Sequence, residues 1–190
     1  MLKANQGKIN WKYLSKNPNA IELLKENLTK IDWQFLSLNK SKGAIELLKA
    51  NPEKIDWLFL SRNQGALELL KANPKKIYWT SLSENINNEA IELLKENQDK
   101  IDWEVLSMNK NSEAIKLLIE NPTEIYWNNL SMNENSEAIE LLKSNFDNIN
   151  WETLSLNKNS EALELLKANP TKIEWKFLSA NPAIFDEILV

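Results

Sequence analysis

The chain has 190 residues, 43% hydrophobic and 26% charged, with 23 basic and 27 acidic side chains for a net charge of −4, the composition of a folded rather than a disordered protein. It contains neither cysteine nor histidine, which excludes disulfides, thiolate and imidazole metal ligation, and nucleophiles built on either residue. No apolar run approaches the ~18 residues of a membrane-spanning helix, and the first ten residues have no apolar signal segment, so the expectation is an intracellular, cytoplasmic protein with no membrane partner. Met1-Leu2-Lys3-Ala4-Asn5 reads as the tail of a partial first helix. Tryptophans follow at Trp11, Trp33, Trp57, Trp79, Trp103, Trp127, Trp151 and Trp175, spaced 22, 24, 22, 24, 24, 24 and 24 residues. A fixed period of this size marks an array of small units rather than one mixed domain.

Each unit reads Ala-(Ile/Leu)-Glu-Leu-Leu-Lys-x-Asn-x-x-x-Ile-x-Trp-x-x-Leu-Ser-x-Asn. Two connecting residues follow, as in Pro18-Asn19 and Gln64-Gly65, or four, as in Lys110-Asn111-Ser112-Glu113 and Lys158-Asn159-Ser160-Glu161. A length change confined to one place predicts a surface loop there. In Ala90-Ile91-Glu92-Leu93-Leu94-Lys95 the apolar residues fall at i, i+1, i+3 and i+4, a helical stripe. The Asn behind it, followed by Pro52, Pro74, Pro122 and Pro170 in four units, predicts a helix stop in the left-handed conformation. Asp32, Asp56, Asp102, Asn10 and Asn150 then predict N-caps for a second, shorter helix beginning at Trp, while Tyr78 and Tyr126 give up that cap. Trp and the Leu three residues on are both expected to face inward. Helices this short depend on stacking against their neighbours. The prediction is all-α: an elongated α-solenoid of about eight short helix–turn–helix units, a single array over residues 1–190, closed by a capping segment at 181–190.

The expected core column is Ala, Ile/Leu, Leu, Leu, Ile, Trp and Leu. Three polar columns recur in every unit: the Asn after the first helix, the serines from Ser15 to Ser179, and the asparagines from Asn17 to Asn181. They are expected to cap helix ends or to satisfy backbone groups between stacked turns. A leucine-rich repeat has similar lengths and an Asn column, but it needs an alternating strand, and Ile-x-Trp-x-x-Leu-Ser does not alternate.

Asn17-Pro18-Asn19-Ala20-Ile21-Glu22-Leu23-Leu24-Lys25 and Asn51-Pro52-Glu53-Lys54-Ile55-Asp56-Trp57-Leu58-Phe59-Leu60-Ser61 resemble a tandem repeat of uncharacterised proteins of giant DNA viruses. Asn181-Pro182-Ala183-Ile184-Phe185 resembles the passage of those arrays into a C-terminal segment. The resemblance covers essentially the whole chain, and the five 24-residue spacings depart from the family's 22-residue unit. It implies a helical repeat protein with no catalytic residues to carry over, placed in the cytoplasm of an infected host cell.

Paired carboxylates are the one acid–base option left. Yet Glu22, Glu46, Glu68, Glu92, Glu140 and Glu164 form one repeated column with Lys three residues on, the pattern of an exposed helix pair, whereas a catalytic site is singular. No Gly-rich phosphate loop and no calcium loop is present. The sequence predicts a non-enzyme, with no cofactor and no metal. Recognition fits better, because a solenoid carries variable positions on a constant frame. The residue after Trp runs Lys12, Gln34, Leu58, Thr80, Glu104, Asn128, Glu152, Lys176; the residue after Ser runs Lys16, Leu38, Arg62, Glu84, Met108, Met132, Leu156, Ala180. The two columns lie four apart on one helix face.

Candidate partner-binding residues are therefore Gln34, Leu38, Leu58, Arg62, Thr80, Glu84, Glu104, Met108, Asn128, Met132, Glu152 and Leu156. Tyr13, Phe35, Phe59 and Phe177 edge the stripe. Ile119 joins them, because it stands where the other units carry Lys. In the same unit Lys116 replaces Glu and Glu124 replaces Lys, a swap expected to compensate locally. A protein is the expected partner. A sequence-tolerant single-stranded nucleic-acid-binding solenoid is the alternative, since helical repeats can read one base per unit and residues 1–95 are mildly basic; against it stand the pI near 5.1, the single arginine, Arg62, and assignment of the tryptophans to the core. Residues 1–95 carry 15 basic and 10 acidic groups (+5) and residues 96–190 carry 8 and 17 (−9). That asymmetry makes end-to-end self-association, as a structural array, a third reading beside the expected monomer.

Overall fold

The structure, a computed structural model, describes residues 2–185. Packing divides the chain into two compact units, Met1–Ala90 and Ile91–Val190. The first holds α1 (Trp11–Lys16), α2 (Ile21–Lys25), α3 (Trp33–Ser37), α4 (Lys42–Ala50), α5 (Trp57–Ser61), α6 (Leu67–Lys71) and α7 (Trp79–Ser83). Helix α8 (Asn88–Lys95) crosses the boundary. The second unit continues with α9 (Trp103–Leu106), α10 (Ser112–Glu120), α11 (Trp127–Met132), α12 (Ser136–Ser144), α13 (Trp151–Leu154), α14 (Ser160–Ala168) and α15 (Trp175–Leu178). Odd-numbered helices begin at the tryptophans and even-numbered ones carry the Ile/Leu-x-Leu-Leu stripe. Among the described residues there is no strand. The fold is an all-α solenoid of short helical repeats.

Each repeat has three helical pieces, not two. A single 3₁₀ turn separates each even helix from the next odd one, as at Leu28–Lys30, Pro52–Lys54, Pro122–Glu124 and Phe146–Asn148. The cause is the Asn after the even helix. The expected left-handed stop is absent: from Asn27 to Asn169 this residue has φ between −130 and −139° and ψ between 49 and 65°, and no described non-glycine residue has positive φ. Its side chain turns back instead. The Asn51 Nδ2 donates to the Leu47 carbonyl at 2.9 Å, and the Lys54 N–H donates to the Asn51 carbonyl at 3.0 Å. One residue thus closes a helix with its side chain and opens a turn with its backbone. Proline suits the next position because an N–H there has no intrahelical partner to lose.

The longer spacing also acts differently from the expected loop. Its extra residues enter the even helix, so α4, α10, α12 and α14 have nine residues and α2 and α6 have five. Asn111, Asn135 and Asn159 cap the lengthened helices, each accepting at 2.7 Å from the N–H two residues on. At one short connection a Cβ on Gly65 would stand 2.6 Å from the Lys40 carbonyl oxygen, so only glycine fits. The predicted caps of the odd helices form: Asn10, Asp32, Asp56, Asp102 and Asn150 accept from the N–H three residues on, while Tyr78 and Tyr126 make no such bond.

Within the first unit Leu24, Leu36, Leu48, Leu60 and Leu70 are fully buried, as are Leu106, Leu118, Leu130, Leu142 and Leu154 within the second. Each contributes about 1.5–3 kcal/mol of burial. The tryptophans depart from their expected place in this core. Trp11 through Trp151 are half-buried and Trp175 is 64% exposed. Leu and Ser, three and four residues on, take the inward face and leave the indole at its margin. A half-buried indole contributes about 2–3 kcal/mol of gross burial, roughly half that of a fully buried one.

The two invariant polar columns after Trp, buried except at Asn17 and Ser179, join successive turns. Ser37 is fully buried; its Oγ donates to the Trp33 carbonyl at 2.9 Å and accepts the Asp56 N–H of the next turn at 3.1 Å. Asn63 Nδ2 donates to the carbonyls of Ser37 and Asn39 in the preceding turn, at 2.8 and 3.0 Å, and its Oδ1 accepts the Gly65 N–H at 2.9 Å. The second unit repeats the pattern, with Asn133 donating to Ser107 and Asn109 and Asn157 donating to Ser131 and Asn133. Among the described residues no buried side-chain nitrogen or oxygen of this ladder lacks a hydrogen-bond partner, which is what permits so many amides inside. At the C-terminal side Pro182–Phe185 forms a 3₁₀ turn. The remainder of the predicted capping segment, with Ile188, Leu189 and Val190, lies outside the described residues.

Candidate functional site

The Trp helix begins at a fixed cap and buries Leu and Ser, so the residues one and five after Trp are turned outward. In the first unit Gln34, Leu58, Arg62, Thr80 and Glu84 are exposed and Leu38 is half-buried. In the second, Glu104, Met108, Asn128, Met132 and Glu152 are exposed and Leu156 is half-buried. Several of these side chains bind the neighbouring turn. Gln34 donates to Asp56 at 3.4 Å, Arg62 pairs with Glu84 at 2.8 Å, and Asn150 donates to Asn128. The aliphatic members divide similarly: Leu38 lies in a groove of about 390 Å³ with Lys16, Pro18, Lys40 and Ser41, whereas Met108 and Met132 are 50% and 41% exposed. Phe35, Phe59 and Phe177 are half-buried at the edge of the stripe and Tyr13 is exposed. Tyr13 meets Phe35 edge-on at 6.4 Å, with the Lys12 ammonium 4.5 Å from the Phe35 ring centre.

Ile119 is not part of this stripe. It projects from α10, 52% exposed, into an open groove of about 630 Å³ lined by Lys116, Ser136, Glu137, Glu140, Leu141 and Ser144. Glu137 and Leu141 are the residues that sequence reasoning missed. Spacing alone shows only that Glu137 stands at the repeat position of Glu89 and Glu161, fourteen residues before Trp. The expected local charge swap takes another form. Lys116 bonds Glu113, three residues earlier on its own helix, at 2.7 Å, and this hydrogen bond is the main reason its ammonium is held above 10.5.

The indole column is the other feature the sequence misplaced. Its partial exposure does not make an open stacking platform at Trp11, where the Lys30 ammonium of the next turn lies 5.0 Å from the ring centre. At Trp151 the neighbour is Phe146, edge-on at 5.2 Å.

The expected Glu–Lys pairs form in part: Lys95 turns from Glu92 to Glu120 of the next turn, and Lys71 lies closer to Glu89 than to Glu68. Glu22–Lys25, Glu140–Lys143 and Glu164–Lys167 are ion pairs of 2.9, 2.7 and 2.9 Å on exposed helix faces. Among the described residues no three acidic side chains gather as a metal-ligand group, and no helix is long and apolar enough to cross a membrane. What the surfaces offer chemically is a row of thioether and aliphatic groups beside amides and carboxylates, and one separate apolar groove. No protein-family model, no curated protein and no solved structure matches the chain.

Proposed function

We propose that the chain is a non-enzymatic recognition scaffold that binds a protein partner through the helices beginning at Trp. The observation that carries this reading is the contrast between an invariant frame and two outward columns whose residues vary along the array. The second unit supplies its centre: Met108, Met132 and Leu156 stand in successive turns at one repeat position, flanked by Glu104, Asn128 and Glu152. Thioether and aliphatic groups without a covering element suit protein contact, and methionine adapts to irregular partners.

The test is affinity capture from cell lysate with the wild-type chain and with a Met108→Glu, Met132→Glu, Leu156→Glu variant whose far-UV circular dichroism is unchanged. A protein retained by the first bait and lost from the second is the expected result. Equal recovery on both baits refutes this surface.

A further inference from the structure

The groove beside Ile119 lacks a cross-turn ion pair that is made elsewhere in the chain, though not in every turn: Lys95, at the same repeat position, pairs with Glu120. Lys71, eight residues before its Trp, reaches forward to Glu89 of the following turn at 3.2 Å. Lys143 holds the same repeat position and feels the field of Glu161 in the turn that follows it. Glu89 and Glu161 both stand fourteen residues before their own Trp. Ile119 occupies the Lys71 position and Glu137 the Glu89 position. The cation that Lys71 supplies to Glu89 is here replaced by a sec-butyl group. Lys116, whose charge does act on Glu137, is already hydrogen-bonded to Glu113. What results is an aliphatic wall, Ile119 and Leu141, beside a carboxylate with no ion pair among the described residues, at the side of an open groove.

We propose that this groove receives a lysine or arginine side chain from a cationic amphipathic segment of a partner protein. The methylene stem lies along Ile119 and Leu141, and the charged head takes at Glu137 the place that Lys71 takes at Glu89. An adjoining aliphatic side chain of the same segment covers the exposed face of Ile119. Charge complementarity selects a basic partner: α10 and α12 carry Glu113, Glu120, Glu137 and Glu140 against Lys116 and Lys143, and residues 96–190 as a whole carry 17 acidic against 8 basic groups. This surface shares no residue with the Met108–Met132–Leu156 row, so it stands or falls separately from the recognition proposed there.

The test uses the full chain and a fluorescein-labelled 14-residue helical peptide of leucine and lysine in amphipathic order, read by anisotropy and by methyl NMR. Ile119→Lys supplies the missing cation from within the chain, and every other unit carries Lys at this position, so it preserves the fold. The expected result is a loss of affinity of tenfold or more for Ile119→Lys and of several-fold for Glu137→Gln, with methyl shifts centred on Ile119 and Leu141. Thr123→Lys makes the same change in net charge on an exposed 3₁₀ turn, where Lys75 is the repeat equivalent, and should leave affinity within twofold. Equal losses for Ile119→Lys and Thr123→Lys would show general charge attraction and overturn the proposal. Methyl shifts centred on Met108 and Met132, or no binding of the peptide, would overturn it as well.

Discussion

Replacing Asn133 with alanine removes three hydrogen bonds from a side chain that is 1% exposed. Its Nδ2 donates to the carbonyls of Ser107 and Asn109, at 3.1 and 2.9 Å, and its Oδ1 accepts the Asn135 N–H at 3.0 Å. Truncation strands two carbonyls and one N–H between stacked turns. At about 1–3 kcal/mol for each buried group left without a partner, and with water reaching some of them, the expected loss is about 3–6 kcal/mol. Against a typical total of about 5–15 kcal/mol this is severe. Asn133→Asp keeps the acceptor but turns a carboxylate oxygen toward two carbonyls. Its folded-state pKa is pushed up, because protonation restores one donor. The folded variant then binds protons more readily than the unfolded chain, so its deficit relative to wild type shrinks as pH falls from 7.5 to 4.5. Urea unfolding followed by circular dichroism and by tryptophan fluorescence at both pH values measures these differences. A loss under about 1 kcal/mol for Asn133→Ala, or a deficit of Asn133→Asp that does not change with pH, would refute the view that amide-to-carbonyl bonds hold the turns together.

Ser131→Ala orphans the Asn150 N–H, which donates to Ser131 Oγ at 3.1 Å, and should cost about 1–3 kcal/mol in the same urea assay; Ser179→Ala, at an exposed serine, should cost much less. Tyr126→Asp restores the kind of cap that Asp102 provides at the preceding Trp helix, α9, and should raise stability by about 0.5–1 kcal/mol. Gly65→Ala should lower the thermal midpoint, because the backbone around the Lys40 carbonyl must shift to admit the methyl group. The Glu89, Glu113 and Glu140 carboxylates hold the ammonium groups of Lys71, Lys116 and Lys143 above 10.5, chiefly by hydrogen bonding. Stabilisation from these pairs is therefore complete below pH 10.5 and disappears as pH rises through the raised values. NMR titration of Lys71 in a Glu89→Gln variant should show its pKa moving down toward 10.5.

The period of the tryptophans was enough to read the repeat, the helical class and the N-caps, because cap residues act locally and recur. The conformation of Asn51 was not readable in that way. Asn supports both a left-handed stop and a side-chain bond to the carbonyl four residues back, and the tight 3₁₀ turn at Pro52–Lys54 decides between them. Trp33 was misplaced for a related reason. Spacing puts it on the same helix face as Leu36 and Ser37, but it is the first residue of its helix and sits at the margin of that face. The outward columns were legible because a fixed inward pair, Leu and Ser, leaves them no other direction. The pairing of Glu137 with an absent lysine was not, because it appears only when contacts between successive turns, such as Lys71–Glu89, are known.

The ladder of Ser and Asn has a consequence for how such a chain changes over generations. Each rung links a turn to the one before it through backbone carbonyls and through residues present in every turn. Any turn therefore offers the next the same set of acceptors, whatever its outward residues are. A whole period can be excised or copied in frame and the severed rungs find equivalent partners. An insertion of one residue between Ser and Asn breaks them at once. Gene-level expansion and contraction by complete periods is thus conformationally tolerated, and the outward columns can be shuffled as intact cassettes.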